Sequence, residues 1–277
     1  MSRPFMLSDP KQVLDVIFEV AAVEIMPRFR NLAAGDIRRK RSPRDLVTVA
    51  DEAAEARLSE ALRRLLPGSV VIGEESADAD PDILGRLGEA APVWLIDPVD
   101  GTGNFVAGDV RFAVLVSLCH QGEILAGWMV RPESGLAVYA TAGGGAWVIE
   151  PGGSERRLQL RPRQSTDELC GSLSRGGARS LQARAPSASL RSARIVRLGS
   201  AGCEYLELAQ GGIDFAQYAR LKPWDHTAGV LIHGEAGGWA ALRGSGRRYR
   251  PEPRISEETL LLAVDQAMWR DLDATLD

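Results

Sequence analysis

Histidine and cysteine are both scarce in this chain of 277 residues, with three of each: His120, His226 and His233, and Cys119, Cys170 and Cys203. No CxxC pair and no histidine-rich cluster occurs, which excludes a structural zinc site of the usual kind. Three scattered thiols suit a reducing compartment rather than a disulfide-stapled scaffold. Lysine is rarer still against its background: of 33 cationic residues only Lys11, Lys40 and Lys222 are lysines, an imbalance that genome composition alone can produce. Long apolar runs are missing too. The longest, Phe112 to Leu118, falls far short of the ~20 residues of a membrane span. The first twenty residues carry no charge-free apolar core and no small-residue cleavage site. A net charge of −4 leaves no electrostatic footprint for nucleic acid or an anionic membrane. The expectation is a soluble, cytoplasmic protein.

What is present is an ordinary globular composition, 45% hydrophobic and 25% charged, in a chain long enough to bury a core without staples. Asp9-Pro10 reads as a helix start, followed by Leu14, Ile17, Phe18, Ala21 and Ile25 on one face as far as Pro27. A second helix fits Asp51 to Leu66, with Ala54, Leu58, Leu62 and Leu65 inward and Glu55, Arg57, Glu60 and Arg63 outward. Ser69 to Gly73 reads as a buried strand. From Trp94 the period becomes that of a sheet: Trp94–Ile96, Phe112–Leu118, Ile124–Val130, Ala137–Thr141 and Gly145–Ile149 form an expected antiparallel meander, with tight turns at Gln121-Gly122 and Gly143-Gly144. Pro151-Gly152-Gly153 marks the expected boundary between halves, 1–150 and 151–277. Ser174 to Ala193 reads as a surface loop. Strands at Ile195–Leu198, Ile213–Tyr218 and Gly238–Leu242 then alternate with helices at Ser200–Ala209 and Trp224–Glu235. The fold class expected is α+β: a layered αβαβα sandwich, an antiparallel sheet first and a mixed sheet with helices second.

Carboxylates gather in three places: Asp45 to Asp51, Gly73-Glu74-Glu75-Ser76 at a strand end, and Asp97-Pro98-Val99-Asp100-Gly101-Thr102 after the Trp94 strand. Pro98 stiffens the turn, so Asp97 and Asp100 can aim at one point, where they repel unless a cation lies between them. Oxygen-only ligands select hard ions, Mg²⁺ or Mn²⁺. Gly101-Thr102-Gly103-Asn104 opens a short helix whose free N–H groups can meet a phosphate. Each piece also has a plain reading: Asp-Pro-x-Asp-Gly is a common turn, Glu74-Glu75 a solvated pair, and Thr48 and Asp225 helix caps.

Taken in order, these blocks resemble the inositol monophosphatase family. The resemblance rests on Lys40 with Ser42-Pro43, Asp45-Leu46-Val47-Thr48-x-x-Asp51, Ile72 to Ser76, Trp94 to Phe105, Trp224-Asp225-x-x-Ala228-Gly229 and Glu235 to Gly238. It implies a phosphatase using two or three Mg²⁺ ions, sensitive to lithium and commonly dimeric. Glu74, Asp97 and the Val99 carbonyl would hold the first ion. Asp97, Asp100 and Asp225 would hold the second, and Glu74 would place a weaker third. Thr102 and Asp51 would orient and deprotonate the attacking water. The N–H groups of Gly101, Thr102 and Gly103 would take the phosphate, Lys40 would approach the acidic site, and Asp45 is a further candidate there. The apolar meander Phe112–Val130 would supply a dimer face.

Two positions depart from the family pattern. Gly103 stands where a second Thr is usual, and Tyr218 stands where inositol-specific members carry Glu. Ser200 and the Ala201 backbone, at a strand-to-helix turn, are expected near the alcohol portion of the substrate or as a plain helix start; Tyr218 is expected either there or as packing. Asp214 is less committed, and Lys222 has no comparable motif support. The implied substrate is a small phosphorylated alcohol, by default inositol monophosphate. Histidinol phosphate, fructose 1,6-bisphosphate and 3′-phosphoadenosine 5′-phosphate are the alternatives, the last weakened because Val47, not Pro, precedes Thr48. Readings from other classes are a regulatory protein that engages the transcription machinery and a structural metal-binding protein.

Overall fold

In the computed structural model, residues 9–40, 46–161 and 168–276 are described. Helices α1 (Lys11–Val20) and α2 (Val49–Leu65) cover one face of a seven-stranded sheet. Its strands are β3 (Val70–Gly73), β4 (Val93–Asp100), β5 (Ala113–His120), β6 (Glu123–Arg131), β7 (Leu136–Thr141), β8 (Gly145–Ile149) and β9 (Glu155–Arg157), adjacent in that order. β3 runs parallel to β4, and the other pairings are antiparallel. A short hairpin of β1 (Ile37–Arg39) and β2 (Leu46–Thr48) leads into α2. Two short helices, α3 (Glu74–Ala79) and α4 (Thr102–Val106), leave the ends of β3 and β4.

The second half places α7 (Ala201–Gln210) and α8 (Pro223–Glu235) on the other face of this sheet. Beneath them lies a mixed five-stranded sheet of β10 (Cys170–Ser172), β11 (Arg194–Val196), β12 (Phe215–Leu221), β13 (Trp239–Leu242) and β14 (Ser256–Ala263), in the order β11-β10-β12-β14-β13. α5 (Arg175–Arg184), α6 (Ala188–Arg191) and α9 (Gln266–Thr275) close the outer side. The layers are therefore αβαβα, as the element pattern predicts. Strand alternation explains them: Val114, Val116 and Leu118 face α1 and α2, while Ala113 and Leu115 face α7 and α8. The close approach of the middle layer is visible at Gly127, where a side chain would put a Cβ 2.8 Å from the Ala228 Cα of α8.

Several expectations change. The meander Phe112–Val130 is covered on both faces, so it offers no apolar dimer face; core packing accounts for its composition. Pro151-Gly152-Gly153 is the turn of a hairpin, and the first sheet runs past the expected division at 150/151 to Arg157. The segment Ser174–Ala193 is two helices, because Ser174 and Ser187 accept hydrogen bonds from Gly177 N and Leu190 N and so cap them. The helix after Pro10 continues through a π-helical turn at Ala21–Ile25, which keeps Ala21 and Ile25 buried as far as Pro27. No helix of the described residues is long and apolar enough to cross a membrane.

Candidate active site

Three strand ends and the start of α8 deliver the acidic groups to one place. The register between β4 and β5 shifts between Asp97 and Asp100, a bulge containing Pro98, which cannot join the ladder. The bulge turns the end of β4 away from regular pairing, and the chain enters α4 through Gly101. Gly101 has φ +91, and a Cβ there would stand 2.9 Å from the Ser200 Cβ and 3.0 Å from the Arg111 carbonyl oxygen, so only glycine fits the turn. The first intrahelical bonds of α4 are made by Asn104 and Phe105 to the Gly101 carbonyl. The N–H groups of Gly101, Thr102 and Gly103 lie ahead of that ladder.

Glu74, Asp97 and Asp225 each offer a carboxylate oxygen, and these oxygens all lie within 4.8 Å of one another. Asp97 is buried and Asp225 half-buried, and they repel one another: desolvation first, then neighbouring carboxylates, hold both well above the usual carboxylate range, against the pull of Lys222. Asp225 Oδ1 is buried without a hydrogen-bond partner. It sits in the first turn of α8, whose cap position is Lys222, so it is not the cap. Glu74 behaves differently. Burial opposes its charge, yet the ammonium groups of Lys222 and Lys40 outweigh that and lower its pKa. Lys40 Nζ lies 2.7 Å from Glu75, 2.8 Å from Asp78 and 3.3 Å from Glu74. Glu74-Glu75 is thus a neutralised, half-buried pair rather than a solvated one.

Asp51 is fixed by a capping box at the start of α2. Its Oδ2 accepts from Thr48 N at 2.9 Å and from Thr48 Oγ1 at 2.5 Å. Its Oδ1 lies 3.2 Å from Thr102 Oγ1, which also reaches the Val99 carbonyl at 3.1 Å. Desolvation lifts the Asp51 pKa from 3.8 to about 6. The plain reading of Thr48 as a cap and the functional reading of Asp51 therefore describe one device.

Other expected residues stand elsewhere. Asp100 is buried, and its carboxylate accepts from Ser200 Oγ, from Ala201 N at 3.2 Å and from Gly202 N at 2.7 Å, at the start of α7. Ser200 and Ala201 are engaged with Asp100 and with the α7 cap, where Ser200 accepts from Cys203 N at 3.0 Å. Tyr218 stacks on Tyr205 with centroids 5.1 Å apart and packs on His226 at 4.9 Å, its hydroxyl buried, which is the packing reading. A Cβ on Gly103 would meet open space, so the residue usual there would fit but is missing. Asp214 joins strands, accepting from Cys170 N at 2.8 Å. Asp45, with Ser42 and Pro43, lies outside the described residues.

One contributor was left uncommitted by the sequence reading and another was misplaced by it. Lys222 Nζ lies 2.9 Å from Glu74 Oε1; its signal was its rarity as one of three lysines. Glu55, expected to point outward, is buried and accepts from Glu75 N at 2.8 Å and Ser76 N at 2.9 Å, so it holds the start of α3 and hence Glu74. Its signal was the i+4 spacing from Asp51 on one helix face.

The sequence profile described as the inositol monophosphatase family matches residues 9–272. The inositol-1-monophosphatase of Rhizobium meliloti (strain 1021) is 33% identical over 213 residues, spanning 75% of this chain and 76% of that protein. A Thermotoga maritima protein named fructose-1,6-bisphosphatase/inositol-1-monophosphatase is 29% identical over 204 residues, 73% of each chain. Among solved structures, an IMPase of Thermotoga maritima superposes with a TM-score of 0.75 at 23% identity, covering 95% of this chain and 94% of that one, which supports the fold.

Proposed function

The chain belongs to the inositol monophosphatase family, a family of phosphoric monoester hydrolases, and on that premise we propose that it is a magnesium-dependent phosphatase of a small phosphorylated alcohol. The observation that carries this reading is the convergence of Glu74, Asp97 and Asp225 beside the hydrogen-bonded Asp51–Thr102 pair. The donor set fits hard divalent ions: it is oxygen only, its carboxylates repel, and Asp225 Oδ1 is a buried acceptor with no donor. Glu74, Asp97, Asp225 and the Val99 carbonyl would hold Mg²⁺ or Mn²⁺. Asp100 would join them with whatever capacity its bonds to α7 leave.

When bound, such ions supply Lewis-acid polarisation of the phosphoryl oxygens and a lowered pKa for water. The remaining work belongs to the chain. Thr48 fixes Asp51, and Asp51 accepts from the Thr102 hydroxyl, so the lone pairs of that hydroxyl face a water oriented for attack. The proton of the water passes by way of Thr102 to Asp51 Oδ1, whose pKa of about 6 suits a base working near neutrality. The N–H groups of Gly101, Thr102 and Gly103 orient the phosphoryl oxygens, with one hydroxyl fewer than the family pattern because of Gly103. The P–O bond to the alcohol breaks as the water oxygen bonds to phosphorus; the departing alkoxide takes its proton from solvent water, and Asp51 returns the proton it received to solvent, so that alcohol and inorganic phosphate leave.

Inositol monophosphate is the first substrate to test, with fructose 1,6-bisphosphate, histidinol phosphate and 3′-phosphoadenosine 5′-phosphate beside it. Tyr218, neutral near pH 7 and packed on Tyr205 and His226, does not replace an ionised acceptor, so the reading assigns ring-hydroxyl recognition to other groups. Phosphate release from the four compounds, with Mg²⁺ and with chelator, is the deciding assay. Magnesium-dependent release from at least one is expected; silence with all four overturns the reading.

A further inference from the structure

Glu74 Oε1 is shared by two ammonium groups, Lys222 Nζ at 2.9 Å and Lys40 Nζ at 3.3 Å. A carboxylate oxygen has two lone-pair directions. With both directed at ammonium protons, that oxygen cannot also face a divalent ion until one lysine leaves. The two lysines are not equally held. Lys40 has three acidic neighbours, Glu74, Glu75 and Asp78, and its side chain is 9% exposed. Lys222 is bonded to Glu74 alone among the described carboxylates, with Asp225 and Asp97 acting on its charge from further off; its side chain is 23% exposed, against 9% for Lys40, and its Nζ stands 5.6 Å from the Trp224 ring centroid.

The backbone places Lys222 there by a local departure from regularity. The register of β12 on β14 shifts between Ala219 and Leu221, and Arg220 has φ +60, in the left-handed region that a non-glycine residue rarely adopts. The bulge re-aims the chain, and Pro223 then starts α8, leaving Lys222 at the cap position beside Glu74 and the first-turn Asp225. Composition points the same way. The chain uses arginine almost throughout, and the third lysine, Lys11, makes an exposed pair with Glu155. A guanidinium is a broad planar fork, whereas an ammonium is a compact charge of roughly the kind an ion presents.

We infer that Lys222 is a tethered cation that holds Glu74 until a divalent ion takes that carboxylate, so that metal binding here is an exchange of one cation for another. The inference rests on the reading of this cluster as a metal centre. Lys222 is a positioning residue: it keeps the metal-free carboxylates together and sets how tightly the ion must bind to displace it. In the loaded site the freed ammonium stays on its stem at the mouth of the crevice.

The test is Mn²⁺ binding to metal-stripped protein without substrate, read from the electron paramagnetic resonance of free Mn²⁺, for wild type and for Lys222→Gln, Lys222→Met and Lys222→Arg. Neutral variants are expected to bind Mn²⁺ about tenfold more tightly, since a competing charge at contact distance is gone. Lys222→Arg, which keeps the charge but spreads it over a planar fork, is expected to fall nearer to wild type than the neutral variants do. The metal-free neutral variants should melt below wild type and gain more on adding Mn²⁺. Unchanged or weaker Mn²⁺ affinity in folded Lys222→Gln and Lys222→Met, or equal tightening in Lys222→Arg, overturns the exchange. A wild type that binds no Mn²⁺ instead overturns the metal-centre reading itself.

Discussion

At the scale of single residues, each carboxylate of the site has a distinct set of partners, and that set decides what its loss would do. Asp97 is the most buried of the convergent three and receives one neutral donor, Val99 N at 3.1 Å, leaving the rest of its charge for a cation. Asp97→Asn is therefore expected to relieve repulsion and stabilise the metal-free fold slightly, while abolishing both metal binding and turnover. Calorimetric titration with Mg²⁺ beside a phosphate-release assay checks it, and full magnesium-dependent activity in the variant would sink the mechanism. Asp51 differs, because Thr48 and Thr102 already satisfy it. Thr48→Val removes the hydroxyl and the cap: a loss of about 1 kcal/mol in stability is expected, with a fall in kcat larger than any change in KM. Denaturant unfolding and steady-state kinetics measure the two.

At the scale of elements, the decisive structure is the short α3, six residues that could not hold themselves in place. Glu55 in α2 supplies the acceptors for its first N–H groups, so a long, well-capped helix anchors a marginal one, and Glu74 inherits the position. Glu55→Gln keeps the size but sets an NH₂ against one N–H. It is expected to cost about 1–2 kcal/mol, as loss of a buried acceptor does, and to weaken metal affinity without contacting the ion; thermal melting and Mn²⁺ titration follow the two effects separately. This arrangement also marks what sequence could and could not disclose. Amphipathic α1 and α2, the apolar runs β5 to β8 and the Asp97–Thr102 turn were legible because their signals are local. The outward assignment of Glu55 failed because a charged residue on a helix reads as solvated unless its partner, twenty residues along the chain, is known. Strand β14, between β12 and β13, and helix α9 were missed because Ser256-Glu257-Glu258-Thr259 opens the strand with polar residues at a sheet end. Tyr218 and Ser200 were ambiguous for a similar reason: whether a hydroxyl meets substrate or protein depends on groups elsewhere along the chain, Asp100 for Ser200 and the rings of Tyr205 and His226 for Tyr218.

At the scale of the whole molecule, the site lies where the two halves meet. Asp97 and Asp100 come from β4, Glu74 from the start of α3, Asp225 from α8, and Asn104 Nδ2 donates to the Arg111 and Leu198 carbonyls at 2.6 and 2.8 Å, tying the halves beside it. Concentrated negative charge at this junction makes the metal-free fold sensitive to pH. Burial lifts both Asp51 and Asp100 from 3.8 to about 6, so the folded chain holds these protons more tightly than the unfolded one. Their stabilising contribution is complete below the unfolded value near 4 and is lost as pH rises through about 6. The melting temperature of chelator-treated protein is therefore expected to fall between about pH 4 and pH 6, and Mg²⁺ at the upper pH to restore it. A melting temperature that rises over that interval without metal would contradict the assignment. The contact at Gly127 carries a different consequence. Because the backbone of α8 rests directly on β6 there, the helix that carries Asp225 is seated on the first sheet with no side chain between them, so any residue larger than glycine at 127 would push Asp225 away from the carboxylates supplied from the first half.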